Sequence, residues 1–349
     1  MSKPKYTIAL TGLNATDNPG PGLAVIRSLK EAVSFDCRIV GLCYEALEPG
    51  IYMRDLVDKT YQLPFPSAGQ DMLYDRFAEI SEKEKIDFLF PNFDAELYNF
   101  IKLQRRIEME LGIKMFLPTI DQFEERHKVN LFEFGKAHNL KVPVAEMVFT
   151  TNEIHTMAAK IGFPLVVKGK FYDAMIAYND EQAEQFFNKI SAHWGVPILF
   201  QEFIHGSEMN VCGIGDGKGN LKAAVAMRKL YITDKGKAWS GVTVDDEQLI
   251  EQTRNMVEST KWRGPFEMEY IKTVDDEYYL LEINPRFPAW CYLTVGAGQN
   301  QVETLVNIAM GIDMPSLIDY KVGTLFIRYS NDLIVDIKEF EKISTFGEL

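Results

Sequence analysis

The strand-like run that leads into residues 281–286 carries the residue types of a metal and phosphate site. Alternate side chains of a strand share one face, so Glu282 and Asn284 are expected to point the same way. Pro285 cannot extend a β-ladder, so the strand should end there and leave Arg286 at a rim. Carboxylate and amide oxygens suit a hard cation such as Mg²⁺, and a guanidinium suits phosphate. The pattern predicts such a site, and an ordinary surface strand end is the alternative.

A second predicted strand, residues 264–271, places Glu267 and Glu269 on one face. Asp275 and Asp276 form a plausible turn between this strand and the one that carries Glu282. The resulting hairpin would bring three carboxylates together, which is costly unless a cation neutralises them. Either Glu267 or Glu269 could be the second carboxylate ligand, and a hairpin with one solvated acidic face is the alternative.

Two further segments carry cations that could contact phosphates. Lys168 ends the apolar strand pattern of residues 164–167, either at a nucleotide phosphate or simply in solvent. Arg228 and Lys229 follow each other in a strand pattern, so only one of them can face a site. Arg228 is the predicted one because its fork suits phosphate oxygens, and two solvated edge charges are the alternative.

The apolar strand pattern of residues 197–204 stops at a polar pair that includes Glu202. Backbone groups beside an apolar slot can bind adenine, and Glu208 could accept hydrogen bonds from ribose hydroxyls. The alternative is a core strand that leaves its sheet at Gly206.

The elements that must position these residues fall into two patterns. Residues 6–118 alternate strand and helix signals, which predicts a parallel sheet covered by helices. Strands are predicted at residues 6–11, 38–44, 86–91 and 114–118, with helices at residues 23–32 and 95–111. Ligands of such sheets lie at the carboxyl ends of the strands, which places loop 12–22 and residues 92–96 near a site. The loop lacks G-x-G-x-x-G spacing, so a tight turn into a helix is favoured over phosphate binding.

After one predicted helix at residues 121–139, the second half has an α+β pattern with an antiparallel sheet. Its strands are predicted at residues 144–150, 164–167, 198–204, 209–214 and 221–232, with helices at residues 152–161 and 180–191.

Composition limits the class of protein. The chain has 349 residues, enough for roughly two or three domains, and 46% hydrophobic residues, as in soluble globular proteins. A net charge of −13 argues against a nucleic-acid partner. The four cysteines lack metal-ligand spacing, and no signal peptide or membrane span is visible, so a cytoplasmic protein is expected. No H-E-x-x-H or G-x-S-x-G motif is present, which disfavours zinc and serine hydrolases.

In this order the segments resemble the ATP-grasp superfamily, in particular carbamoyl-phosphate synthetase, biotin carboxylase and D-alanine–D-alanine ligase. The most specific motif is the one that contains Glu282, Asn284 and Arg286, followed by the segment from Glu202 to Glu208. The resemblance implies a parallel-sheet α/β domain at residues 1–118, then a two-lobed ATP-grasp fold with antiparallel sheets. Its small central lobe, with a linker helix, would cover residues 119–205, and its C-terminal lobe, with the metal site, residues 206–349.

The resemblance also implies that ATP and Mg²⁺, or Mn²⁺, are the cofactors. The implied roles are phosphate contacts for Lys128 and Lys168, adenine binding for Glu202 and Ile204, ribose binding for Glu208, metal binding for Glu269, Glu282 and Asn284, and stabilisation of the transferred phosphoryl group by Arg286, with Arg228 beside it.

One departure from the family pattern follows Lys168. Relatives have a glycine-rich loop there, whereas this chain has a single glycine, and Lys170 or Tyr172 could replace the loop amides. Altered nucleotide handling, an unusual acceptor or lost catalysis would each explain the change, although the intact metal motif disfavours the last.

The implied function is an ADP-forming ligase that activates a carboxylate for attack by an amine, on small-molecule or peptide substrates. A kinase or carboxylase on the same scaffold and a non-catalytic nucleotide-binding regulator are the alternatives. The resemblance implies a homodimer, and no membrane partner is expected. The substrate pocket is expected between the N-terminal domain and the C-terminal lobe. Its candidate residues are Asn14, Asp94, Glu96, Trp239 and Trp290, although the two tryptophans could equally fill the core.

Overall fold

A computed structural model describes residues 3–15, 19–169, 173–233 and 236–349. Within them the strands form three sheets: a parallel four-stranded sheet, an antiparallel four-stranded sheet and an antiparallel six-stranded sheet. The predicted combination of α/β and α+β architecture is confirmed.

The parallel sheet has the strand order β3-β2-β1-β4 and lies between helices on both faces. Its central strand is apolar on both faces, and Ile8, Ala9 and Leu10 are fully buried, as expected for a covered parallel sheet. The elements are β1 (Lys5–Leu10), α1 (Pro21–Lys30), β2 (Asp36–Cys43), β3 (Lys59–Gln62), α2 (Gln70–Glu84), β4 (Phe88–Phe90) and α3 (Asp94–Leu111).

The predicted strand at residues 114–118 is wrong. The segment makes one isolated bridge, between Lys114 and Phe88, because its chain leaves the sheet edge immediately afterwards. Strand β3 and helix α2 were not predicted.

The single helix predicted at residues 121–139 is also wrong, since it divides into α4 (Ile120–Glu125) and α5 (Leu131–Ala137). Helix α4 begins after a capping box at Thr119, and Arg126 is its C-terminal cap residue. Asn130 then closes the turn, with its amide Nδ2 donating to Glu124 O at 3.0 Å. The turn therefore places Arg126 and Lys128 outside regular helix.

The small antiparallel sheet has the order β5-β8-β6-β7 and packs one face against two helices. Its elements are β5 (Ala145–Val148), α6 (Ile154–Ile161), β6 (Leu165–Lys168), β7 (Ala174–Ala177), α7 (Asp180–Trp194) and β8 (Ile198–Glu202).

The six-stranded sheet has the order β13-β12-β9-β10-β11-β14. Its elements and the helices around it are β9 (Ser207–Asp216), β10 (Leu221–Ile232), β11 (Ala238–Thr243), α8 (Glu247–Thr260), β12 (Arg263–Lys272), β13 (Tyr278–Asn284), α9 (Tyr292–Gly296), α10 (Gln301–Ala309), β14 (Leu325–Ile327) and α11 (Ile337–Phe346). As predicted, Asp275 and Asp276 lie in the turn of the β12–β13 hairpin, and β13 ends directly before Pro285.

The two faces of the six-stranded sheet differ. Alternate residues such as Met209 and Met268 form the outer face, which packs on α8. The intervening residues form the inner face, where Cys212 and Met227 belong to the same core as α1, the parallel sheet and α10. Polar residues occupy the rest of the inner face, so strand alternation directs them away from the α8 core.

None of the helices in the described ranges is long and apolar enough to cross a membrane.

Candidate functional site

Polar side chains form two rows across the inner face of the six-stranded sheet. Glu282 on β13 lies opposite Glu269 on β12, which lies opposite Asn210 on β9. Two residues along each strand, and therefore on the same face, Asn284 lies opposite Glu267. Directly opposed residues of an antiparallel pair have side chains within contact range. The register therefore brings three carboxylates and two amides together.

Glu267 occupies the buried end of this set. Its Oε1 accepts hydrogen bonds from Asn210 Nδ2 at 2.8 Å and Trp290 Nε1 at 2.6 Å, and its Oε2 accepts one from Asn284 Nδ2 at 3.1 Å. Burial raises the pKa of Glu267, and the nearby Glu269 carboxylate raises it further. Trp290 is thus a buried residue with a specific polar role, because its indole N–H donates a hydrogen bond to Glu267.

Glu269 lies nearer the open side and is paired with a cation. Lys229 Nζ is 2.9 Å from its Oε2, and Asn284 Nδ2 is 3.0 Å from its Oε1. Burial opposes ionisation of Glu269, but the attraction of Lys229 outweighs it and lowers the pKa to about 2. Glu269 is therefore a carboxylate at neutral pH.

Lys229 also joins this carboxylate to Glu208, whose Oε2 lies 2.8 Å from its Nζ, and its side chain is only 5% exposed. Arg228 lies exposed on the outer face, opposite Met209. The expectation that Arg228 rather than Lys229 points toward the carboxylates is therefore wrong. The pairing of β10 with β9 places Lys229 on the inner face together with Met227, and Arg228 on the outer face.

Glu282 lies at the entrance of the set, half-buried, with Lys128 Nζ 3.7 Å from its Oε1. Lys168 belongs to the same neighbourhood. Burial and the Lys128 charge together lower its pKa to about 8, against the opposing charges of Glu282 and Glu269. Two lysines from the central segment thus face carboxylates of the six-stranded sheet.

Lys168 on β6 and Glu202 on β8 lie at opposite ends of the paired stretch of these two strands. Leu165 pairs with Glu202 at one end, and Lys168 pairs with Leu199 at the other. Three strand residues span roughly 10 Å, comparable to the distance between the base and the phosphates of a nucleotide. Glu202 N donates to Val144 O at 2.8 Å, and the half-buried Ile204 follows just beyond the strand.

Arg286, just beyond the end of β13, pairs with Asp94 at the start of α3. Its Nε and Nη2 atoms lie 3.0 Å and 2.7 Å from Asp94 Oδ2. Burial opposes ionisation of Asp94, but the Arg286 charge outweighs it, so the pKa of Asp94 is lowered. Arg126 adds a second guanidinium near Asp94 and lies 4.4 Å from the Phe123 ring centroid.

The sequence reasoning missed Asn210, Lys229 as the inward cation, and Arg126. Alternation along β9 is a signal for Asn210, because it shares a face with Glu208. Nothing in the sequence marks Arg126, since the break between α4 and α5 was not predicted.

Glu96, in the first turn of α3, is fully buried. It accepts hydrogen bonds from the Thr11 and Tyr44 hydroxyls and from the backbone N–H groups of Asn92, at 2.8 Å, and Phe93, at 3.0 Å. This carboxyl is enclosed by donors, so it supports loop structure rather than lining the cleft. The pocket role expected for it is therefore wrong.

The other two expected pocket residues remain half-buried. Asn14 Oδ1 is shielded from solvent and lacks a hydrogen-bond partner within the described ranges. Trp239 contributes its backbone oxygen to Arg328 N at 2.9 Å. Burial lowers the pKa of Arg328 to about 10, and the Glu267 charge opposes this shift, which places another guanidinium near the carboxylates.

Comparison with known proteins agrees with this geometry. The family described as "ATP-grasp in the biosynthetic pathway with Ter operon" matches residues 195–324. The structure superposes on the biotin carboxylase–βγ-ATP complex from Campylobacter jejuni with a TM-score of 0.70 at 16% identity, covering 91% of this chain and 73% of that one. The chain has the ATP-grasp fold. The family resemblance seen in the sequence is confirmed.

Two further proteins share this similarity. The carbamoyl phosphate synthase large chain of Agathobacter rectalis is 24% identical over 271 residues, which cover 74% of this chain. The chain spans only 24% of that relative's length. The L-amino acid ligase of Bacillus licheniformis superposes with a TM-score of 0.67 at 15% identity, covering 90% of this chain and 76% of that one. These ATP-grasp proteins differ in chemistry, so the fold leaves the substrate open.

The donor set of this site fits a magnesium ion that arrives with a nucleotide. Within the described residues, no group of three or more His, Cys, Asp or Glu side chains could hold a metal ion. Mg²⁺ typically takes one or two carboxylates and completes its shell with water and phosphate oxygens. Glu269 and Glu282, directly opposed with Asn284 beside them, match that requirement.

The segment after Lys168 lies partly outside the described residues. Lys170 and Tyr172, the predicted substitutes for the glycine-rich loop, both belong to the part of the chain that is not described.

Proposed function

We propose that this protein is an ATP-dependent ligase that phosphorylates a substrate carboxylate and transfers the acyl group to an amine. A carboxylate oxygen attacks the γ-phosphorus as the bond to the ADP oxygen breaks. The amine then attacks the acyl carbon, phosphate leaves with the oxygen, and the amine loses a proton. The observation that carries the proposal is the inner-face cluster, where Glu269 and Glu282 meet Lys229 and Lys128.

The nucleotide would lie between the two antiparallel sheets. Lys128 and Lys168 would contact its phosphates as point charges. Glu202 and Ile204 would border the adenine roughly 10 Å away, a spacing set by three strand residues. Glu208, which is paired with Lys229, would accept hydrogen bonds from the ribose hydroxyls.

Glu269, Glu282 and Asn284 would hold magnesium or manganese, which neutralises phosphate charge when bound. Asn284 Nδ2 donates hydrogen bonds to both Glu267 and Glu269, so it fixes the spacing of those carboxylates. Glu267, with its three donors, would support the site from behind. Arg286 would stabilise the transferred phosphoryl group. Such preorganised charges are usually the largest contribution to catalysis.

The three sheets support a division into an N-terminal domain at residues 1–118, a central lobe at residues 119–205 and a C-terminal lobe at residues 206–349. We infer that the carboxylate and amine substrates, small molecules or peptides, bind between the first and last of these. A homodimer in the cytoplasm is the expected state.

Nucleotide product analysis tests the proposal. Purified wild type and the Glu282→Ala variant are incubated with Mg-ATP and a panel of amino acids and small acids. Acceptor-dependent ADP and phosphate from the wild type alone would support the ligase. A stable phosphorylated product would instead indicate a kinase, and AMP with pyrophosphate would indicate adenylation. ATP binding without turnover across the panel would favour a regulator.

A further inference from the structure

Two polar atoms at the junction of the N-terminal domain and the cleft have unused hydrogen-bonding capacity. Asp94 Oδ1 and Arg126 Nε are both shielded from solvent, and neither has a hydrogen-bond partner among the described residues. One is an acceptor and the other a donor. Buried polar atoms are normally satisfied, so such a pair indicates a missing ligand.

The charges around these atoms have a fixed arrangement. Asp94 uses only Oδ2 for Arg286, which donates to it from both Nε and Nη2. Arg126 interacts with the charges of Asp94, Arg286 and Glu282, and its guanidinium lies near the Phe123 ring. One carboxylate thus lies among two guanidiniums and near the Lys237 ammonium, and one of its oxygens is unpaired. The three residues come from α3, the turn after α4, and the segment just after β13.

We propose that Asp94, Arg126 and Arg286 form a subsite for a zwitterionic substrate, an amino acid or the end of a peptide. The Asp94 side chain, 40% exposed as a whole, turns its shielded Oδ1 toward the cleft to accept from the substrate ammonium, and Arg126 donates to the substrate carboxylate. This inference rests on the proposed function, because it names the class of carboxylate that the ligase activates.

The aspartate discriminates against simple anions. Two guanidiniums alone would attract bicarbonate or any small monoacid, whereas an aspartate between them repels an anion and favours a ligand with a nearby cation. The ion pair between Asp94 and Arg286 does not by itself explain why Asp94 Oδ1 is unpaired. A carboxylate whose only role was to neutralise Arg286 could present both oxygens to the guanidinium fork. Here one oxygen takes both bonds.

The test compares amino acids with their own derivatives. Each amino acid is assayed for ADP release beside its N-acetyl form and its deaminated analogue, which keep the carboxylate but lack the ammonium. The expected kcat/KM is at least about tenfold higher for the free amino acid, the usual scale for one hydrogen bond to a charged group. Calorimetric titration of the same ligands in the presence of Mg-ADP measures binding directly, independently of turnover.

Three variants assign the discrimination to residues. Asp94→Asn removes the charged partner of Arg286 for both ligands, but only the amino acid also loses the acceptor of its ammonium, so kcat/KM should fall by about tenfold or more beyond the loss seen with the deaminated acid. Arg126→Gln should weaken both ligands, since both carry the carboxylate. Asp121→Asn, an exposed aspartate of α4, is the matched control and should change neither.

The outcomes separate the subsite from the ligase. Equal use or equal binding of deaminated acids by the wild type, or an equal loss for both ligand classes in Asp94→Asn, would overturn the subsite and leave the ligase standing. Preferential binding of free amino acids with Mg-ADP, without any ADP release from ATP, would support the subsite while contradicting the ligase.

Discussion

The ammonium group of Lys229 lies 2.9 Å from Oε2 of Glu269, the carboxylate that is proposed to hold the metal ion. The same ammonium lies 2.8 Å from Glu208, so one cation is paired with both carboxylates before any ligand binds. A divalent ion that approaches Glu269 must compete with this lysine. The arrangement should therefore suppress metal binding to the protein alone and favour a metal that arrives with ATP.

Lys229→Met should raise the affinity for Mn²⁺ in the absence of nucleotide by about tenfold or more, because removing the competing cation leaves Glu269 and Glu267 to repel each other until a metal binds. Calorimetric titration or the paramagnetic resonance of free Mn²⁺ measures the change. Arg228→Met, on the outer face of the same strand, is the control and should behave like the wild type. Equal Mn²⁺ affinity in all three proteins would contradict the prediction.

Glu282→Ala should lower kcat by about 100-fold to 1000-fold, the usual cost of losing one preorganised electrostatic contact. Its side chain is half-buried and contacts Lys128 at 3.7 Å, so the fold should tolerate the change. A coupled ADP assay gives the rate, and circular dichroism with thermal unfolding checks the fold. Glu251→Ala on the exposed side of α8 is the control. Wild-type turnover in a folded Glu282→Ala protein would remove Glu282 from the proposed site.

The efficiency with ATP should depend on pH through Lys168. Burial lowers the pKa of Lys168 to about 8, so this lysine is charged below that pH and neutral above it. Because only the charged form attracts phosphate, kcat/KM for ATP should fall by about tenfold one pH unit beyond the inflection. Lys168→Arg keeps its charge and should flatten this decline, whereas Lys189→Arg, on exposed α7 surface, should not. A decline that persists unchanged in Lys168→Arg would assign it to another group.

Glu96→Ala should reduce stability instead of changing substrate choice. The substitution leaves the Asn92 and Phe93 N–H groups and the Tyr44 hydroxyl without their shared acceptor in the core. The expected loss is about 2–4 kcal/mol in the free energy of unfolding, measured by urea denaturation. The preference for free amino acids over deaminated acids should remain. A stable variant with altered preference would instead place Glu96 in the pocket.

Periodicity and turn residues predict much of the fold. The β12–β13 hairpin follows from two strands joined by Asp275 and Asp276, and the parallel sheet follows from alternating strand and helix patterns. The end of β13 follows from Pro285, which cannot continue the ladder.

Register and tertiary contacts account for what the sequence did not predict. Alternation says that Arg228 and Lys229 face opposite ways, but pairing with β9 decides which one faces inward. The turn at residues 126–130 interrupts a helical pattern without glycine or proline, and its polar residues match a continuous helix equally well. Asp94 was expected near a substrate, yet its bond to Arg286 joins residues 192 positions apart in the chain.

The turn between α4 and α5 places Arg126, beside Asp94, only two residues from Lys128, beside Glu282. The proposed amino-acid subsite and the proposed nucleotide site therefore share one short piece of backbone. Thermodynamic reciprocity then links two measurements: the factor by which nucleotide changes the affinity for the acceptor must equal the factor by which acceptor changes the affinity for nucleotide. Stiffening this turn while keeping Arg126 and Lys128 is thus a way to alter cooperativity between the two ligands.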